Sequence, residues 1–162
     1  MTPSSPAPSA RPAATFSHAP AIWAAFPELV AAAVVLSGVH PRVSVDAALA
    51  RHVERATSLL RSGSESDLPP IRAWRRAFAR MGLKPTQYRC ASEALLRRLR
   101  KDGSLPRLHP LVDLCNAASA ASAIPIAVFD LGHVSGALEV RRADGDEDCL
   151  TFGGEHELPE GR

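Results

Sequence analysis

The chain has 162 residues, 46% hydrophobic and 22% charged, with a formal net charge of +2. That is one domain's length with an ordinary globular composition, which excludes a mostly disordered protein. No uninterrupted apolar run reaches membrane-spanning length. The widely spaced Cys90, Cys115 and Cys149 form no Cys-x-x-Cys pair, which argues against a disulfide framework or cysteine zinc site and fits a reducing, cytoplasmic setting.

Residues 1–22 read as a disordered Pro/Ala/Ser tail, and residues 23–162 as the folded domain. Pro3, Pro6, Pro8, Pro12 and Pro20 fall in that tail, where Arg11 is the only charged side chain. Such a stretch has too little to bury to offset its ordering entropy. The apolar run Leu29 to Val39 is bounded by Pro27 and Gly38; both a buried strand and a helix segment fit, and its valines tip the reading towards a strand.

From Val45 to Arg61, Leu49, Val53, Ala56 and Leu60 recur at helical spacing. A second helix starts near Pro70 with Ile71, Trp74, Phe78 and Met81 as its buried stripe. Gly82 supplies its left-handed stop, and Pro85 forbids continuation. A third helix spans about Ser92 to Lys101, with Leu95, Leu96 and Leu99 inward, and a fourth about Pro110 to Ala123. Ile124 to Leu131 then reads as a buried strand, Ala137 to Arg142 alternates as a strand, Asp144-Gly145 marks a turn, and Cys149 to Phe152 is a last strand. Helices clustered before strands indicate an α+β domain.

The small net charge hides a dipole. Between Ile71 and Lys101, ten Lys or Arg face the single acid Glu93, a balance of +9; from Glu139 to Arg162 the balance is −5. Two readings stay open: solvated helix faces, or the footprint of a polyanion whose counterions would be released on binding. Trp74 falls on the apolar stripe and belongs to the core, which leaves Tyr88 as the residue able to stack on a base.

Five segments in order carry a resemblance. They are Ile71-x-Ala73-Trp74-Arg75-x-Ala77-Phe78; Gly82-Leu83-Lys84-Pro85-x-x-Tyr88-Arg89; Ser92-Glu93-Ala94-Leu95-Leu96-x-Arg98; Pro110-Leu111-Val112-Asp113-Leu114-x-Asn116-x-x-Ser119; and Ile124-Pro125-x-x-x-x-Asp130-Leu131. Over roughly residues 26–160 the chain resembles the freestanding B3/B4 domain proteins, relatives of the tRNA-editing region of the phenylalanyl-tRNA synthetase beta subunit. The resemblance implies an α+β fold around a mixed or antiparallel sheet packed by helices. It also implies a trans-acting factor that hydrolyses mischarged aminoacyl-tRNA, or a tRNA- or amino-acid-binding module without catalysis.

On that reading Arg72, Arg75, Arg76, Tyr88, Arg97, Arg98 and Lys101 hold RNA, and Asp113, Asn116, Ala127, Asp130 and Glu155 line the aminoacyl pocket. Asp113 and Asn116, three apart on a helix, share a face and can either meet the aminoacyl end or fasten helix to sheet. Asp130 is either a pocket residue or a turn cap, and His133 either a base or a solvated loop residue. Gly153-Gly154 can either bring backbone N–H groups to a substrate oxygen or form a plain turn. An aminoacyl ester is already activated, so a positioned water and a stabilised oxyanion suffice without a Ser-His-Asp triad. No triad, phosphate loop or metal-ligand spacing is present, so no cofactor or metal is expected.

Two departures bear on the chemistry. Where the synthetase pattern has a His two positions before Phe-Asp, this chain has Ala127; the resemblance then implies that the editing chemistry is either lost or altered and that the pocket is roomier. The family pattern also continues past the position of Gly161, so a sheet edge is expected to be open. A truncated form, or a homo-oligomer paired through that edge, would follow. A protein-interaction domain with a basic face for an acidic partner is the reading from a different class.

Overall fold

The computed structural model of the protein describes residues 15–147. It divides into two compact units: residues 34–129 form one, and the residues before and after them form the other.

The unit Val34–Phe129 is helical. Its first long helix, α2 (Asp46–Arg61), follows the shorter α1 (Pro20–Ala25) of the other unit in the chain. Ala56 is fully buried on α2, with Val53 and Leu60 packed against the same core, as the stripe requires. Asp46 in the first turn and Arg61 in the last complement the helix dipole. A short 3-10 turn, Glu65–Asp67, is closed by a capping box: the Asp67 carboxylate accepts from the Ser64 N–H at 3.1 Å while the Ser64 side chain accepts in return.

Helix α3 (Pro69–Arg80) begins with proline, whose missing N–H costs nothing in the first turn. Ile71 is its fully buried anchor, a burial that contributes about 1.5–3 kcal/mol. Trp74 packs on Phe78 with ring centroids 5.9 Å apart. At its end Gly82 has φ +82°, and the N–H groups of Gly82 and Leu83 bond back to Ala79 and Phe78, a Schellman stop. Helix α4 (Ala91–Asp102) buries Leu96 and Leu99, keeps Leu95 half-buried and ends on left-handed Gly103.

Helix α5 (Pro110–Ser122) packs mainly on α2 and also on α4. The small buried faces of Ala117, Ala120 and Ala121 permit that approach. Its exit is unusual: Ala123, not glycine, sits at φ +57°. Two buried hydroxyls hold this exit. Ser92 donates to the Ala123 carbonyl at 3.1 Å and Ser119 to the Ile124 carbonyl at 2.7 Å.

In the other unit β1 (Phe16–His18) and β2 (Leu138–Val140) pair in parallel, Phe16 opposite Leu138 and His18 opposite Val140. The His18 ring lies 5.0 Å from Trp23. Strand β1 and the first residues of α1 fall within the stretch that composition assigns to a tail; residues 1–14 lie outside the described residues.

The sheet departs from expectation. The described strands form one parallel pair, not a mixed or antiparallel sheet. Leu29 to Val39 carries no regular element and is largely exposed, Val30 at 91%. Ile124 to Asp130 is likewise irregular, with Ile124, Ile126, Val128 and Phe129 exposed, and Leu131 begins a 3-10 turn. The physical reason is common to both. An apolar run states a preference for burial but supplies no neighbouring strand, and Pro125 removes a ladder donor besides. The expected strand Cys149 to Phe152 lies outside the described residues.

Candidate functional site

The cationic stretch folds onto α3, the following loop and α4. Two buried carboxylates sort its arginines. Glu93, fully buried on α4, receives Arg75 from α3 in a two-pronged contact, Nη2 to Oε1 at 2.6 Å and Nε to Oε2 at 3.2 Å. Arg89 approaches the same carboxylate at 3.8 Å. The Arg75 guanidinium is raised above its ordinary pKa by that hydrogen bond. Glu65, buried in the 3-10 turn, takes Arg97 at 3.0 Å and Arg100 at 3.1 Å, and Arg100 also donates to the Gly63 carbonyl at 2.7 Å.

Other cations face outward. Arg72 and Arg76 lie one turn apart on the exposed side of α3, and Arg80 continues the line. On α4, Lys101 is exposed and Arg98 pairs with exposed Asp102 at 3.5 Å. Tyr88 is exposed in the loop between the two helices.

Among the pocket candidates, Asp113 is buried at the start of α5. Its Oδ1 accepts from the N–H groups of Leu108 at 2.7 Å and His109 at 3.2 Å, while its Oδ2 accepts from Arg107 at 3.0 Å. The carboxylate satisfies the turn that enters its own helix, and among the described residues it bonds to no strand, so it does not fasten helix to sheet. Arg107, which sequence spacing gives no reason to single out, also reaches Asp46 at 2.8 Å and so ties α2 to α5. Its hydrogen bond holds the Asp46 carboxyl below the usual range.

Asn116, one turn further on, is half-buried, and among the described residues its side chain makes no hydrogen bond. Ala127 is exposed in the irregular segment after α5. Asp130 belongs to the other unit, where its Oδ1 caps a turn through the Gly132 N–H at 2.8 Å and its Oδ2 meets His133 at 3.1 Å. Both side chains of that pair are well exposed. Glu155 and Gly153-Gly154 lie outside the described residues.

Asp113, Asn116 and Ala127 therefore share one unit, and two hollows among the described residues lie elsewhere in it. One, of about 230 Å³, is lined by Thr57, Leu60, Arg61, Leu99, Arg100 and Gly103. The other, of about 310 Å³, runs along α2 past Leu49 and Val53 to Leu105 and Arg107. Both are shallow apolar grooves with arginine at the rim. Among the described residues no group of three or more His, Cys, Asp or Glu side chains could hold a metal, and no helix is long and apolar enough to cross a membrane.

Helices whose arginines are divided between ion pairs to two buried carboxylates and exposed positions, in one chain with a strand pair, make an α+β protein. Residues 73–162 match the B3/4 domain, more than half of the sequence, and the chain belongs to that family. The match starts at Ala73, within α3, whereas the residue-by-residue resemblance extends upstream to about residue 26. No curated protein and no solved structure matches the chain.

Proposed function

We propose that this protein binds tRNA and removes wrongly attached amino acids from it in trans, as a cytoplasmic editing hydrolase in translation. The observation that carries the reading is the coincidence of the B3/4 domain match with a +9 balance over Ile71 to Lys101, inside or adjoining the matched residues. The exposed basic residues Arg72 and Arg76 on α3 and Arg98 and Lys101 on α4, with Tyr88 in the loop between the helices, contact the RNA. Within the helical unit, Asp113, Asn116 and Ala127 are the residues offered to the aminoacyl end. The ester is activated by its own leaving group, so hydrolysis needs a held water and donors for the oxyanion more than a strong base.

Release of amino acid from mischarged tRNAs, measured against spontaneous ester hydrolysis, tests the enzyme. Acceleration with at least one mischarged species is the expected result; none with any, using folded protein, refutes hydrolysis.

One observation favours a second reading, a noncatalytic tRNA- or amino-acid-binding module. Both Asp113 oxygens are engaged by its own turn and by Arg107, and neither groove reaches Asp113, Asn116 or Ala127. Retention of tRNA without turnover is its signature. A homo-oligomer joined at an open sheet edge is compatible with either reading.

A further inference from the structure

Resting on the tRNA reading, we infer that the RNA backbone is held by the outer face of α3, through Arg72 and Arg76, and that Arg75, Arg97 and Arg100 are internal cross-links. The sequence offers all of these as equivalent positive charges. The structure separates them. Arg75 is spent on buried Glu93, and Arg97 and Arg100 on buried Glu65. Pulling Arg75 away from Glu93, or Arg97 and Arg100 together away from Glu65, would leave a buried carboxylate without its short contacts, at a cost that the phosphate contact would have to recover.

Arg72 and Arg76 carry no such debt. They are exposed, and among the described residues neither side chain takes part in an ion pair. Positions 72 and 76 are successive turns on one side of the helix, about 6 Å apart at 1.5 Å rise per residue. Two guanidiniums at that spacing can meet successive phosphates of one strand, each through a two-pronged contact.

The same face indicates which polyanion. Its other members are Ala73 and Ala79, both small. The large apolar residues of α3 point away from it: Ile71 is fully buried, and Trp74 and Phe78 pack on the core. A protein partner would need an apolar or aromatic anchor here, and a membrane-surface helix would need its Trp and Phe on the lipid side. The α3 face has charge and no anchor. A phosphodiester backbone is the partner that charge alone can hold, through counterion release and without reading sequence.

The test is equilibrium binding of total tRNA by the full chain across a range of salt concentrations. The wild type is compared with Arg72→Ala/Arg76→Ala and with Arg98→Ala/Lys101→Ala on α4. Alanine at exposed helix positions favours the helix, and circular dichroism verifies the fold of each variant. The α3 variant is expected to bind more weakly at low salt, its log–log salt slope shallower by about 2, one for each lost phosphate contact. An unrelated RNA hairpin is expected to show the same change in slope. If the wild type binds tRNA and the α3 variant keeps both its affinity and its slope, the assignment to α3 is overturned while the tRNA reading stands. Loss confined to the α4 variant overturns it in the same way. Tighter binding to phosphatidylserine vesicles or to polyglutamate than to tRNA overturns the choice of RNA. A wild type that retains no tRNA at low salt overturns the tRNA reading and this inference with it.

Discussion

Replacing Arg75 with alanine isolates the larger of the two buried-carboxylate contacts. The Glu93 side chain is 1% exposed and the Arg75 side chain 27%. Removing the guanidinium takes away both short contacts, at 2.6 and 3.2 Å, and leaves the carboxylate with Arg89 at 3.8 Å. Breaking a buried pair by deleting one partner costs about 3–5 kcal/mol. Because Arg75 is partly solvated and Arg89 offers some compensation, the low end applies, about 3 kcal/mol. With a urea m-value on the order of 1–3 kcal/mol/M, the unfolding midpoint falls by about 1–3 M.

Urea unfolding followed by far-ultraviolet circular dichroism is the assay, with Arg75→Met/Glu93→Leu as the companion. That double variant removes the stranded charge and is expected to recover most of the loss, because an apolar pair of similar volume commonly matches a buried ion pair. A loss below about 1 kcal/mol for Arg75→Ala would place the contact among ordinary surface pairs and refute the division of the arginines.

Gly82→Ala meets no neighbouring atom but must adopt φ +82°, so a loss of about 1–2 kcal/mol by thermal unfolding is expected. Asp113→Ala strands the Leu108 and His109 N–H groups and should cost about 2–3 kcal/mol, whereas Asp113→Asn, which keeps an acceptor, should cost clearly less; equal losses in chemical denaturation would contradict its role in satisfying that turn. The Glu147 carboxyl is lowered from 4.5 to about 2, chiefly by the Asp144 and Gly145 N–H groups that donate to it. A depressed carboxylate stabilises its turn above its unfolded pKa and ceases to do so as pH falls through the folded one. Gly145 amide protection should therefore hold above about pH 4.5 and fade towards pH 2, as read by NMR.

The helices were legible because their signals are local. Ile71, Trp74 and Phe78 define a face within three turns, and Gly82 marks a stop that φ confirms at +82°. Asp113 and Asn116 share a helix as their spacing requires. What escaped reading depends on distant partners. Leu29 to Val39 and Ile124 to Leu131 have strand-like composition, yet a strand exists only where another pairs with it. The two structural carboxylates hide for the same reason. Arg75 and Glu93 are 18 residues apart, and Arg97 and Glu65 are 32 apart, so a count of charge records +9 without showing which cations are already engaged. Arg107 has no motif around it, and its bridge from Asp46 to Asp113 emerges only when α2 and α5 pack together.

The most direct measurement of the central claim is the affinity of the wild-type chain for total tRNA at 50 mM and at 200 mM salt. With two to four phosphate contacts, binding should weaken by about 10- to 100-fold between the two conditions. Undetectable retention at the lower salt, or an affinity that does not change between them, would contradict it.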